Sequence, residues 1–196
     1  MALPSMAPRV DLLASLTLAA ALGVGCTKPA PPAPAPDDAE VTRRAQAALA
    51  PLKQGLKAEL GSALAGSIDG AIDVCQRRAP ELARAHSQNG VTVGRSAKKL
   101  RSPGNAPRPW LVPVMDRLAA APSGSDAHEV VQLDGGRRGY AEAIWVSAPC
   151  LTCHGRDVPD SVAKKLAERY PSDGARGFAV GDFRGVFWAE LEPAAR

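Results

Sequence analysis

The stretch Glu129–His154 reads EVVQLDGGRRGYAEAIWVSAPCLTCH. Its first half sets the fold. Glu129 to Leu133 and Tyr140 to Val146 are rich in β-branched and aromatic residues. Asp134-Gly135-Gly136 lies between them, and such a glycine-bearing gap between two strand-like runs predicts an antiparallel hairpin. Its second half sets the chemistry. Cys150-Leu-Thr-Cys153-His154 has the spacing of a covalent haem attachment site. Two thiols three residues apart reach two vinyl groups on one porphyrin edge, and the next residue brings an imidazole to the iron.

Three other chemistries use paired cysteines. A thioredoxin-like pair needs a long helix after the first Cys, but Gly155 and Pro159 interrupt the chain at once. A closed zinc site needs four ligands, and adjacent Cys153 and His154 fit poorly on one tetrahedral ion. A plain disulfide leaves His154 without a role. The motif therefore predicts one covalent haem c, with His154 as an iron ligand.

Upstream of the hairpin the pattern is helical. Residues 40–50 and 52–65 are rich in Ala and Leu and are separated by Pro51. Leu60, Leu64, Ile68, Ile72, Cys75 and Ala79 recur at spacings of three and four, which is one face of a helix. Pro80-Glu81 reads as the first turn of a new helix reaching about Gln88, with Asn89-Gly90 ending it. Val91-Thr92-Val93 predicts a short strand, residues 102–109 a loop, and Trp110–Ala120 a short helix. Downstream of the motif, Ser161–Tyr170 predicts a helix, and Phe178–Leu191 one or two strands around Gly181 and Gly185. Helices first and a mostly antiparallel sheet afterwards give an α+β fold.

The N-terminus predicts export. Leu12–Val24 is a run of thirteen uncharged, mostly apolar residues. That is shorter than the about 20 a spanning helix needs, and it fits the apolar part of a signal peptide. Leu22-Gly-Val-Gly-Cys26 resembles a bacterial lipoprotein cleavage site. The expectation is a signal peptide over 1–25, lipidation and membrane attachment at Cys26, and a periplasmic location. Thr27–Ala39 holds five prolines in thirteen residues, an extended linker reaching about 40 Å at about 3.1 Å per residue. The expected organisation is therefore signal 1–25, linker 26–39 and a haem-binding domain over 40–196.

Composition supports a folded chain and excludes one function class. Of 196 residues, 45% are apolar, enough for a core. Net charge is +4. No basic run is interleaved with aromatics, so nucleic-acid binding is not expected.

A six-coordinate iron needs a second ligand. The residue types on offer are Cys75, His86, His128, Met115, Met1 and Met6. On pattern alone Met115 sits in an apolar helix and reads as core, His86 and His128 as surface, and Cys75 as a small apolar-face residue.

Several local patterns together resemble a bacterial family of single-haem-c domains with a PAS-like fold. They are Ile72-Asp-Val-Cys75 followed by Pro80-Glu-Leu-Ala83; Val93-Gly-Arg95-Ser96 leading to Leu100-Arg101-Ser-Pro103-Gly-Asn105-Ala-Pro107; Cys150-Leu-Thr-Cys153-His154-Gly155; and Tyr170-Pro171-Ser-Asp173-Gly-Ala175-Arg-Gly177-Phe178, running into Gly181-Asp182-Phe-Arg184-Gly185. Ser102 and Val186-Phe187-Trp188 depart from that pattern. The resemblance implies iron ligation by His154 and Cys75, and a PAS-like antiparallel sheet with N-terminal helices. A thiolate ligand lowers the reduction potential, and reduction weakens its bond, so an opened site that takes CO is expected. Arg95, Arg101 and Arg184 are candidates to pair with the haem carboxylates.

Three functions fit such a domain. It is a low-potential electron carrier, or a redox or ligand sensor read by a redox or signalling protein partner, or a peroxidase-like enzyme with an open iron site. Cys75 ligation argues against the third.

Overall fold

The computed structural model describes residues 37–193. The expected export signal, Cys26 and nearly all of the proline-rich segment lie outside the described residues. Helix α1 spans Asp38–Gly66, so the domain starts inside the expected linker: Asp37 caps the helix, its carboxylate accepting from Glu40 N at 2.8 Å. Asp38 and Glu40 in the first turn suit the positive end of the helix dipole.

Pro51 does not divide α1. A proline inside a helix removes one hydrogen bond and costs about 3 kcal/mol. Here Pro51 lies on the exposed side, while Val41, Ala45, Leu49, Leu52 and Leu56 form one buried stripe that runs past it. Packing on both sides of the proline overrides the local preference. The helix stops at Ser67, whose backbone is extended and whose hydroxyl accepts from Gly70 N at 3.0 Å. That break divides the face expected from Leu60 to Ala79.

Pro80 does not begin a new helix either. Helix α2 (Ile68–Asp73), a π-helical turn (Val74–Arg78) and α3 (Ala79–Ala85) run on without a cap. The Ala79 N–H donates to Val74 O, five residues back. In a regular α-helix the Pro80 ring would press on the Gln76 carbonyl, and the wider π turn just before it gives the ring room.

Four strands form one antiparallel sheet in the order β1-β4-β3-β2. They are β1 (Val91–Ser96), β2 (His128–Gln132), β3 (Arg138–Trp145) and β4 (Phe183–Leu191). β2 and β3 are the expected hairpin, paired from His128↔Glu142 to Gln132↔Arg138. β1 runs three residues further than the sequence suggests, and β4 is a single strand that starts after Gly181. Helix α4 (Leu111–Ala119) matches the expected segment, and α6 (Asp160–Arg169) follows the short α5 (Leu151–His154). The α+β expectation holds.

Both sheet faces are covered. Along β4, Phe187, Ala189 and Leu191 face the α1 stripe, with Val93 and Tyr140. Val186 and Trp188 face α4, with Leu111, Val114 and Met115. Two smaller clusters flank the cysteine motif. One joins Ile72, Val162, Leu166 and Tyr170 with Cys153 at its edge; the other joins Val146, Ala175 and Phe178 with Cys150 and Leu151. Among the described residues, no helix is long and apolar enough to cross a membrane.

Candidate functional site

Cys75 and the motif residues are seventy-five positions apart at their nearest, yet they line the same space. The π turn carries Cys75, and Asp73, Arg77 and Arg78 brace it. Arg77 bonds Asp73 at 2.5 Å and 2.8 Å; Arg78 reaches Glu59 on α1 at 2.7 Å and also Glu81. π turns are frequent at functional sites. Cys150 sits just before α5, and Cys153 and His154 lie within it. The Gly155 N–H closes α5 on Leu151 O at 2.9 Å. A Cβ on Gly155 would stand 2.6 Å from that same oxygen, so glycine is required after the motif.

A cavity of about 180 Å³ is lined by Cys75, Arg95, Arg101, Cys150, His154, Tyr170 and Arg184, among others. A second of about 80 Å³ adjoins it and shares Cys75, Arg101, Cys150, His154 and Tyr170, adding Cys153 and the apolar Leu60 and Leu166. Cys75, Cys150 and Cys153 are free thiols. Among the described residues, no three His, Cys, Asp or Glu side chains cluster as a protein-ligated metal would require.

His154 is fixed from behind. Its Nδ1 lies 2.7 Å from Ala175 O. A carbonyl only accepts, so Nδ1 carries the proton and Nε2 keeps a free lone pair. Phe178 packs edge-on to the imidazole at 6.3 Å between centroids. Burial pushes the His154 pKa down to about 4, with Arg101 and Arg184 adding to the effect. The imidazole is neutral at physiological pH, which is the ligating form.

Arg101 has a structural role that its sequence position does not reveal. It pairs with Asp173 through two contacts of 3.1 Å and donates to Cys153 O at 2.6 Å and Ala175 O at 3.4 Å. Asp173 also accepts from Ala175 N at 3.0 Å and Arg176 Nε at 2.9 Å. These two buried residues tie the motif to the segment that supplies the His154 partner. Arg101 is thereby spent on protein groups and is a poor candidate for haem carboxylates.

Arg95 and Arg184 differ. The Arg95 guanidinium makes no hydrogen bond or ion pair among the described residues. Burial lowers its pKa. Arg184 donates only to Lys99 O at 3.2 Å. Burial, then Arg101 and Arg95, push its pKa down to about 10. The strand geometry places it there. The β3–β4 register slips between Ile144↔Gly185 and Trp145↔Phe183, leaving Arg184 as the extra residue of a bulge, and bulges re-aim side chains. The cavity thus holds two guanidinium groups without carboxylate partners.

This donor set fits a covalently attached haem. Two thiols stand at attachment spacing, one neutral imidazole has its free nitrogen fixed by a carbonyl, one thiol faces in from a separate helix, and two unpaired cations suit a group with two carboxylates. His128 is exposed and Met115 is fully buried in the α4 core; neither lines the cavity, nor does His86 at the end of α3. Sequence reasoning missed Asp173 and the Ala175 carbonyl as functional parts. The only signal for them was their place in the Tyr170–Phe178 pattern.

No curated protein matches the chain. Among solved structures, the cyanobacterial heme-protein Tll0287 matches with a TM-score of 0.58 and 26% identity, over 82% of this chain and 99% of that one. The Tll0287-like family model covers residues 28–191, so the whole sheet, the π turn and the cysteine motif fall inside it, and the chain belongs to the Tll0287-like family.

Proposed function

We propose that this chain binds one covalent haem c and serves in redox chemistry, as a low-potential electron carrier or as a redox or ligand sensor. Cys150 and Cys153 attach the haem; His154 and Cys75 ligate its iron. The sheet with its N-terminal helices is read as PAS-like. The observation that carries the proposal is the convergence of Cys75, Cys150, Cys153 and His154 on one cavity, with a haem protein as structural relative.

When bound, the haem supplies a one-electron couple. The protein's own residues do the rest. The Ala175 carbonyl holds the proton of His154 on Nδ1, so Nε2 is the donor atom. A ligand imidazole oriented by a carbonyl is also more basic. Cys75 contributes an anionic sulfur, which favours the oxidised state and lowers the potential. Arg95 and Arg184 offer positive charge to two carboxylates. Apolar Leu60, Ile72 and Leu166 exclude water from the side of Cys153.

The rest of the proposal concerns place and partner. A signal peptide over 1–25 and a lipidated Cys26 tether the domain to a membrane on the periplasmic side, and a redox or signalling protein reads or receives its electron. A peroxidase-like role requires an open iron and a distal acid–base pair; the positions of His86 and His128 lend it no support.

The test is direct. Holoprotein from cells with c-type maturation is expected to keep its haem on denaturing gels and to give a ferric low-spin EPR signal of narrow anisotropy. Cys150→Ala/Cys153→Ala loses the covalent haem. Cys75→Ser keeps it but loses the thiolate signal. An unchanged EPR spectrum in Cys75→Ser removes Cys75 as a ligand.

A further inference from the structure

We propose that a cleft at the free edge of β1 is a second binding site, for a small organic anion: a carboxylate on an apolar body. The cleft lies between α3, β1 and the Pro103–Asn105 turn, and holds about 370 Å³, within the range of small-molecule sites.

Three guanidinium groups line it: Arg84, Arg95 and Arg108. Arg108 is engaged, bonding Glu190 at 2.8 Å and lying 4.2 Å from the centre of the Trp188 ring. Arg84 and Arg95 are not. Neither guanidinium makes a hydrogen bond or ion pair among the described residues. Arg84 lines this cleft and Arg95 is shared between it and the Cys75 cavity; with no protein carboxylate on either, the concavity is positive and attracts an anion, and guanidinium groups take carboxylates through paired hydrogen bonds.

The walls select against a bare inorganic ion. Leu52, Ala79 and Val93 belong to the main core and reach the cleft. Trp188 closes it, and its indole Nε1 is buried with no acceptor in the protein. Gly94 is what lets the indole lie so close: a Cβ there would stand 2.4 Å from the ring. Ser87, also in the cleft, is used up by Ala83 O at 2.8 Å and Val93 N at 3.0 Å. It props the strand edge and leaves recognition to the arginines.

Arg95 and Asn105 line this cleft and the cavity of Cys75 alike. An anion in the cleft therefore draws on a charge that also faces the iron ligands. That link rests on the ligation proposed above; the binding site itself does not.

Calorimetry with benzoate on the holoprotein tests the site. Benzoate is expected to bind saturably and uncharged benzamide not at all. Arg84→Ala, an exposed position, and Arg95→Gln are each expected to weaken benzoate by about tenfold or more, the loss of one charge-assisted contact, with unchanged circular dichroism. The absence of saturable benzoate binding overturns the proposal, as it would if the haem carboxylates already filled the cleft. Equal binding of benzamide, or undiminished binding in both variants, overturns it as well. Because heat is measured rather than the haem spectrum, a wrong iron ligand leaves this outcome unaffected.

Discussion

Asp173→Asn is expected to destabilise the domain by about 3–5 kcal/mol, the cost of breaking a buried ion pair from one side. The Asp173 side chain is 3% exposed and that of Arg101 is 7% exposed. The substitution leaves Arg101 charged, buried and without a carboxylate, in a cavity that already holds Arg95 and Arg184. Arg101→Ala should cost less, because Asp173 keeps Arg176 and the Ala175 N–H. Urea unfolding measures both. A loss under about 1 kcal/mol for Asp173→Asn would place this pair among the exposed ones, which contribute that little.

The pH dependence has a defined sign. Burial raises the Asp173 pKa, but hydrogen bonds from Arg101, Arg176 and the Ala175 N–H, with the Arg101 charge, together hold it below its ordinary 3.8. A depressed folded-state pKa means that the ionised carboxylate is bound more favourably in the folded chain. Its contribution is therefore complete above the ordinary value and is lost as pH falls through the lower folded one. Wild-type protein should lose stability in that acid window, and Asp173→Asn should show a smaller loss there.

Gly185→Ala is expected to lower stability by about 3 kcal/mol or more, from backbone strain and overpacking together. That corresponds to a fall in Tm of about 10 °C for a domain of this size. Gly185 has φ +150° and sits beside the β3–β4 bulge. A Cβ there would stand 2.3 Å from Ser96 O and 3.2 Å from Ala97 Cα. Both are backbone atoms of the neighbouring segment, so no rotamer change relieves the contact. The strands must part, and Arg184 moves with them. Thermal unfolding of Gly185→Ala together with Gly104→Ala, where the nearest atom to the added Cβ is a serine oxygen at 3.7 Å, separates this effect from glycine loss in general. Equal Tm values for the two variants would show that the bulge tolerates a side chain.

The hairpin was legible because both strands and the turn act within eighteen residues, and each residue's own preference agrees with its neighbours. The cysteine motif could be read as an attachment site because that reading depends only on spacing; the structure adds that its residues share a cavity with Cys75. The helices were misjudged at both prolines. Pro51 is overruled by a stripe packed on a sheet more than forty residues downstream, and Pro80 by a π turn that no period of three or four reveals. Cys75 had one meaning by pattern, an apolar-face residue, and another by resemblance; the wider turn accounts for both, as it lies at the edge of a buried face and at the cavity wall. Arg101 and Asp173 were illegible as a pair because nothing local joins positions seventy-two apart.

The ties around the motif also set an order of events during folding. The bonds that fix α5 come from Arg101, fifty-two residues from Cys153, and from Ala175 and Phe178 on the far side of α6. The separation of Arg101 from Cys153 carries a larger loop-closure cost than the turn of the β2–β3 hairpin, so this tie forms after the hairpin. The hairpin and α1 have local nuclei and form early. The folding chain therefore passes through a stage in which the β2–β3 hairpin has formed while the Arg101 tie to residues 150–154 has not. If the haem is attached as proposed, that stage is when Cys150 and Cys153 are open to it, and closure of the Arg101–Asp173 tie ends it.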